Sequence, residues 1–181
     1  PKMREFVMHY LSNKLAIHEA SIERCLPREL HRINGFEDCY WLFSSNRLNH
    51  GVTRSTFAEA AFLYKMVQGM QAPRIAELGR FKGGGTILLG AAGAGHVLSL
   101  DNGELPGQAT FLKELDAALA QLGLQDKVEC VMGDAFTWPC AVEAFDLVIV
   151  DCATDGEQGA RIFTHWWSAV KPGGYMLMSD G

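Results

Sequence analysis

Five acidic residues fall at or beside the ends of five apolar runs. Glu77 lies within "RIAELG", Asp101 ends "HVLSLD", Asp134 follows "VECVMG", Asp151 ends "FDLVIVD" and Asp180 follows "YMLMS". A carboxylate at such a tip can accept hydrogen bonds from ligand hydroxyls, face a cationic group, or hold a hard divalent cation through oxygen. The first run opens into a loop with four glycines in seven positions, Gly79, Gly83, Gly84 and Gly85, within "AELGRFKGGGTILL". Glycines so placed let a ligand approach the backbone where a Cβ would obstruct it. Taken singly, each acid reads equally well as a loop residue or a helix cap. Five on one rim point to a ligand.

The charge narrows the ligand. A dinucleotide sets its pyrophosphate on a helix N-terminus behind a G-x-G-x-x-G turn. Here the spacing is Gly79-x-x-x-Gly83-Gly84-Gly85, and Glu77 puts a negative charge beside the place where phosphates would lie. S-adenosylmethionine meets the opposite demand, because it carries a sulfonium, an ammonium, a ribose and only one carboxylate. In that reading Glu77 faces the ammonium. Gly79, Gly83 and Gly85 admit the aminoacyl part, and Phe81 covers the methionyl chain. Asp101, with Asn102 beside it, is placed for the ribose hydroxyls, and Gly133, Asp134 and Ala135 for the adenine edge.

These residues need elements to position them. From about residue 74 onward, short apolar runs alternate with amphipathic segments. Strands are expected over 74–79, 96–101, 128–133, 145–150 and 175–179, the last announced by Lys171-Pro172-Gly173-Gly174. Helices are expected over 84–93, over the stretch from Phe111 to a Gly123 cap, and over 158–170. Alternating strands and helices predict a doubly wound α/β domain, a mostly parallel sheet covered on both faces, with its ligand where the strands end. Residues 1–54 read as an N-terminal helical extension or cap and 55–181 as the ligand-binding domain. Within 6–22 and 57–67 the pattern is helical, the second stretch opened by a capping box from Thr56 to Glu59. The aromatic run 35–43 suits a substrate lid, a homo-oligomer contact or core packing. His50, ahead of that second helix, could face substrate or simply end a loop.

The bulk numbers fit one globular domain. The chain has 181 residues, 48% of them hydrophobic, and no apolar run long enough to span a membrane. A net charge of -5 gives no electrostatic footprint for nucleic acid. The five cysteines form no C-x-x-C pair and read as free thiols. With no signal peptide visible, a cytoplasmic location is the expectation. The chain opens on Pro1 and stops at Gly181 beside a strand, so both ends read as cut.

Over roughly residues 55–181 the chain resembles the class I S-adenosylmethionine-dependent methyltransferases. The likeness rests on E-x-G-x-x-x-G from Glu77 to Gly83, the acid Asp101, G-D-A at Gly133 to Ala135, "FDLVIVD" ending at Asp151, and "VKPGGYMLMSD" ending at Asp180. Within that family it is most similar to catechol-type and bacterial sugar or natural-product O-methyltransferases. The resemblance implies a Mg2+ ion held by Asp151 and Asp180, with Gly181 unable to supply a third side-chain ligand. It also implies a hydroxyl on a small molecule as methyl acceptor, no membrane partner, and two further strands after the fifth.

A catechol-type enzyme would carry a lysine three residues after the first metal ligand, or a histidine nearby. This chain has Cys152-Ala153-Thr154-Asp155. The candidates for catalysis are therefore Asp151, Asp155 and His165. Two other readings stay open: a metal-dependent hydroxylase-like relative, and a cofactor-binding scaffold that has lost its base.

Overall fold

A computed structural model describes residues 30–43, 52–104 and 107–178. The expectations for 6–22, for His50 and for Asp180 lie outside the described residues. Five strands, β1 (Arg74–Leu78), β2 (His96–Asp101), β3 (Val128–Met132), β4 (Phe145–Val150) and β5 (Val170–Met178), form one parallel sheet in the order β3-β2-β1-β4-β5. The helices are α1 (Phe57–Gln68), α2 (Gly84–Ala91), α3 (Gln108–Leu122) and α4 (Gly156–Trp166), with short 3-10 helices at Phe36–Leu42 and Trp167–Ala169.

The period of two along each strand divides the apolar side chains between two cores. Ile75, Val97, Leu147 and Ile149 face α1, α2 and α3, where they meet Tyr64, Ile87 and Leu115. Ala76, Leu78, Leu100, Val148 and Val150 face α4 and meet Ile162 and Trp166. Glu77 falls on the first of these faces, directly opposite Thr86 of α2.

Local signals set the helix ends. The Thr56 side chain accepts from the Glu59 amide while the Glu59 carboxylate accepts from the Thr56 amide, completing the expected capping box. At the other end of the scale, α3 closes on Gly123 at φ +69°. Part of the aromatic run packs into the core, while Tyr40 is exposed. Cys39, Trp41 and Leu42 are buried, and the Phe36 ring lies 4.8 Å from Phe57 and 5.6 Å from Tyr64.

Most ends fall within three residues of expectation, and two boundaries differ by more. The helix expected to reach residue 170 ends at Trp166, and a 3-10 turn carries the chain to an extended Val170. β5 then starts at Val170, five residues early. Phe145 pairs with Val170 and Leu147 with Tyr175, so the Pro-Gly-Gly turn bulges out of a continuing strand. Gly173 takes φ +79° there. A turn signal and a strand coexist because the ladder tolerates extra residues on one side.

The four described cysteines are free, as expected, and burial pushes Cys39, Cys130, Cys140 and Cys152 each up to about 11. Thiols held protonated in this way are poor nucleophiles. Among the described residues, no helix is long and apolar enough to cross a membrane.

The strand order reverses direction between β1 and β4. In open parallel sheets the crevice outside the carboxyl ends at such a switch point takes the ligand. Glu77, Gly79 and Asp151 all lie at that point.

Candidate active site

The loop from β1 to α2 is fixed from three sides. Its Arg80 and Phe81 amides donate to Asp101 Oδ2 at 2.9 and 3.3 Å, and the Gly79 amide donates to the Leu100 carbonyl at 2.8 Å. Asp101 Oδ1 in turn accepts from the Gly103 amide and Gln108 Nε2. Below the loop, the Arg80 guanidinium is buried and donates to the carbonyls of Ser99 at 2.7 Å and Val131 at 3.2 Å. Above it, the Gly84 amide donates to the Val52 carbonyl at 3.0 Å, which seats residues 52–55 across the start of α2.

Glycine is obligatory at Gly79, where φ is +97° and a Cβ would lie 2.7 Å from the Asp151 carbonyl oxygen. Phe81 has no such freedom, yet it stands at φ +53°. A left-handed non-glycine residue costs roughly 1–2 kcal/mol and is characteristic of ligand-binding turns. Lys82 is also buried. Its Nζ has no hydrogen-bond partner among the described residues and lies about 5 Å from the Phe81 and Phe111 rings.

Glu77 is the unusual acid, at only 5% exposure. Its Oε2 accepts from Thr86 Oγ1 at 2.5 Å and from Ser99 Oγ at 2.7 Å, and the two hydroxyls are 2.9 Å apart. Burial pushes the carboxyl up to about 7 against these two hydrogen bonds and the Arg80 charge, which pull it down. Oε1 faces the α-carbon of Gly85, where a Cβ would collide with it.

Two clefts meet at the switch point. The narrow one runs over the loop and is lined by Thr53, Arg54, Glu77, Gly79, Phe81, Gly85 and Asp151. The broader one, about 500 Å³, lies between α1 and the β4–β5 ends and is walled by Phe62, Leu63, Ile149, Leu177 and Met178, with Glu59 and Asp151. Ser55, Leu63, Ile149 and Asp151 belong to both.

The structure thus brings together Glu77, Gly79, Phe81, Gly85 and Asp151. Gly83, at φ +88°, packs over Leu115 as the cap of α2. Asp101 and Asn102 stand at the β2 end and Gly133, Asp134 and Ala135 at the β3 end, outside the narrow cleft. Asp134 Oδ1 accepts from the Phe136 amide, Gly133 sits against the Trp138 ring, and the Ala135 carbonyl accepts from Trp166 Nε1. Asp155 caps α4, with one oxygen on the Gln158 amide and the other on its side-chain nitrogen. His165 Nε2 lies 2.8 Å from the Trp138 carbonyl. Neither lines either cleft.

The narrow cleft suits an amino-acid tail. It offers a buried carboxylate, a strained loop that already exposes backbone, and the first amides of α2. Among the described residues no three His, Cys, Asp or Glu side chains cluster; of the two acids expected to hold a divalent cation, Asp151 lines both clefts and Asp180 lies outside the described residues.

Sequence reasoning left two site residues without a role. Arg80 and Arg54 lie in a loop and before a helix, where an isolated arginine carries no spacing signal; only the fold shows one turned inward and the other onto the cleft.

Comparison with known proteins agrees with this geometry. Among curated proteins none matches the chain. A solved S-adenosylmethionine-dependent methyltransferase from Mesorhizobium loti is similar at 26% identity and TM-score 0.54, over 68% of this chain and 52% of that one. The cofactor-bound protein Rv0187 from MTB shares 25% identity at TM-score 0.56, over 70% and 58%. An S-adenosylmethionine-dependent O-methyltransferase from Thermotoga maritima shares the fold at 20% identity and TM-score 0.54, over 70% and 45%. The chain therefore spans about half the length of these relatives. Residues 76–181, more than half of the chain, match the methyltransferase domain family. With a five-stranded parallel sheet, a glycine loop at its switch point and acids at its strand ends, the chain belongs to that family, the class I S-adenosylmethionine-dependent methyltransferases.

Proposed function

We propose that this chain transfers a methyl group from S-adenosylmethionine to a hydroxyl of a small molecule such as a natural product, sugar or phenol. The observation that carries the reading is Asp151, which lines both the narrow cleft and the 500 Å³ cleft. A donor held over the glycine loop and an acceptor held against α1 would meet at that residue.

When bound, the sulfonium supplies the electrophilic methyl group and its own leaving group. The protein's task is then alignment and removal of one proton. Glu77, Gly79, Phe81 and Gly85 hold the donor's tail, with Asp101, Asn102, Gly133, Asp134 and Ala135 toward its nucleoside. Phe62, Leu63, Leu177 and Met178 exclude water around the acceptor. Asp151 orients the acceptor hydroxyl and takes its proton as the methyl group passes to the oxygen. A Mg2+ ion held by Asp151 and Asp180 would favour the deprotonated hydroxyl.

The test is incubation with methyl-labelled S-adenosylmethionine and a panel of hydroxyl compounds, with and without Mg2+, alongside calorimetry with S-adenosylhomocysteine. Label transfer abolished by Asp151→Ala supports the reading. Absence of S-adenosylhomocysteine binding refutes it. A cofactor-binding scaffold is the second reading, favoured by the engagement of Asp155 and His165 with structural partners. Binding without transfer to any acceptor would select it.

A further inference from the structure

The Arg80 guanidinium has three acceptors, and one of them is a thioether. Nη1 donates to the carbonyls of Ser99 and Val131, while Nη2 donates to Met132 Sδ at 3.3 Å. Arg80 is buried, yet Met132, the last residue of β3, is 49% exposed. Met66, Met70 and Met176 are partly buried against the two cores, and among the described methionines only Met178 is comparably open. Met132 alone of these has a charged donor on its sulfur.

The other end of the Met132 side chain meets the turn after β2. Its methyl group stands where a Cβ on Gly103 would, beside a backbone at φ +77°. The Gly103 amide donates to Asp101 Oδ1, and Asp101 Oδ2 accepts from the Arg80 and Phe81 amides. The thioether is thus held between Arg80 and the 101–103 turn, the two groups that fix the glycine loop.

We infer that Met132 is a site of reversible oxidation by hydrogen peroxide, and that its sulfoxide loosens the glycine loop and weakens cofactor binding. The second half rests on S-adenosylmethionine being the cosubstrate. A sulfur lone pair attacks one peroxide oxygen, the O–O bond breaks as the S–O bond forms, and the other oxygen leaves as water, so sulfur gives up two electrons and peroxide takes them. Negative charge develops on oxygen beside the Arg80 donors, which favour it. The added oxygen has to fit the 3.3 Å gap between Sδ and Nη2. Sulfur then retreats onto the Gly103 turn, or the guanidinium shifts off its carbonyls, and either movement reaches the amides that Asp101 holds. Burial keeps the four described thiols protonated and slow toward the same oxidant.

The test treats the full chain with dilute hydrogen peroxide, maps the oxidised residues by peptide mass spectrometry and measures S-adenosylhomocysteine binding by calorimetry. Met132→Leu, similar in volume and unable to take the oxygen, is treated alongside. Wild type is expected to be oxidised at Met132 ahead of Met178 and to bind S-adenosylhomocysteine about tenfold more weakly, with affinity restored by methionine sulfoxide reductases. Met132→Leu should bind within about twofold of wild type before treatment and keep that affinity after it. Oxidation of Met178 ahead of Met132 overturns the inference, as does oxidised Met132 with affinity within about twofold of the untreated protein. An equal loss in Met132→Leu, or a loss in wild type that the reductases fail to reverse, overturns it too; all four leave the cosubstrate intact. Untreated wild type that does not bind S-adenosylhomocysteine overturns the cosubstrate and this inference with it.

Discussion

Replacing Glu77 with glutamine tests the electrostatics of the donor cleft in the free protein. Three oxygens, Glu77 Oε2, Thr86 Oγ1 and Ser99 Oγ, lie within hydrogen-bond distance of one another. When Glu77 is ionised, the two hydroxyl hydrogens must serve three contacts. When it is protonated, three hydrogens serve three contacts, and the ring closes. Burial pushes the carboxyl in the same direction, from 4.5 up to about 7. A raised folded-state pKa means that the native protein holds a proton which the unfolded chain has already released between those values. Stability from this group is therefore full below about pH 4.5, falls as pH rises to about 7, and is level above that. The interval of about 2.5 units corresponds to about 3 kcal/mol at most. Urea unfolding of wild type and Glu77→Gln at about pH 5 and about pH 8 reads it out, because all other titrating groups are common to both. Wild type should lose about 2–3 kcal/mol more than the variant over that range, and the two should agree within about 1 kcal/mol at the acid end. Parallel pH dependence of the two proteins would refute the argument. Cofactor binding supplies the converse sign: a cationic ligand favours the ionised form, so wild type at about pH 6 should release up to about one proton on binding and the variant none.

Arg80→Met should cost about 2–4 kcal/mol in urea unfolding, since it strips the buried Ser99 carbonyl and the half-buried Val131 carbonyl of their charged donor. Asp155→Ala should cost about 1 kcal/mol through loss of the α4 cap, and Asp155→Asn much less. If Asp155 served instead as the base, Asp155→Asn would abolish methyl transfer at unchanged stability, so a transfer assay with that variant separates the two roles. Gly123→Ala should cost about 1 kcal/mol by thermal unfolding, because φ is +69° where α3 ends.

How far the fold could be read from the chain depended on whether a local pattern had a single structural outcome. β2 and β4 matched their expected bounds because each is a short apolar run closed by an acid. The α1 capping box and the Gly123 cap are local hydrogen-bond motifs, and they too were legible. β5 was misjudged at its start because Pro172-Gly173-Gly174 signals a turn whether or not the ladder resumes beyond it. The site divided along the same line. Glu77, Gly79, Phe81, Gly85 and Asp151 share one cleft because strand ends in a parallel sheet share one edge. The partners of Asp155 and His165 were invisible, since a helix cap and a carbonyl on a distant loop leave no periodic mark.

The same physics explains why charges that spacing places near the ligand also hold the glycine loop. Arg80 and Asp101 sit beside the glycine loop, and in the structure both hold it. Asp101 takes the amides of Arg80 and Phe81, and Arg80 ties the loop to the ends of β2 and β3. These charge-assisted hydrogen bonds offset the left-handed strain at Phe81 before any ligand arrives. A loop held in this way loses little further entropy on binding, so affinity goes to the ligand's own contacts. Beside Arg80, the charged side chains that line the narrow cleft are Glu77, whose carboxyl burial pushes up to about 7, Asp151, and Arg54, brought in from a segment that precedes the sheet. The cleft is therefore shaped by one pair of charges, Arg80 and Asp101, before any ligand is bound.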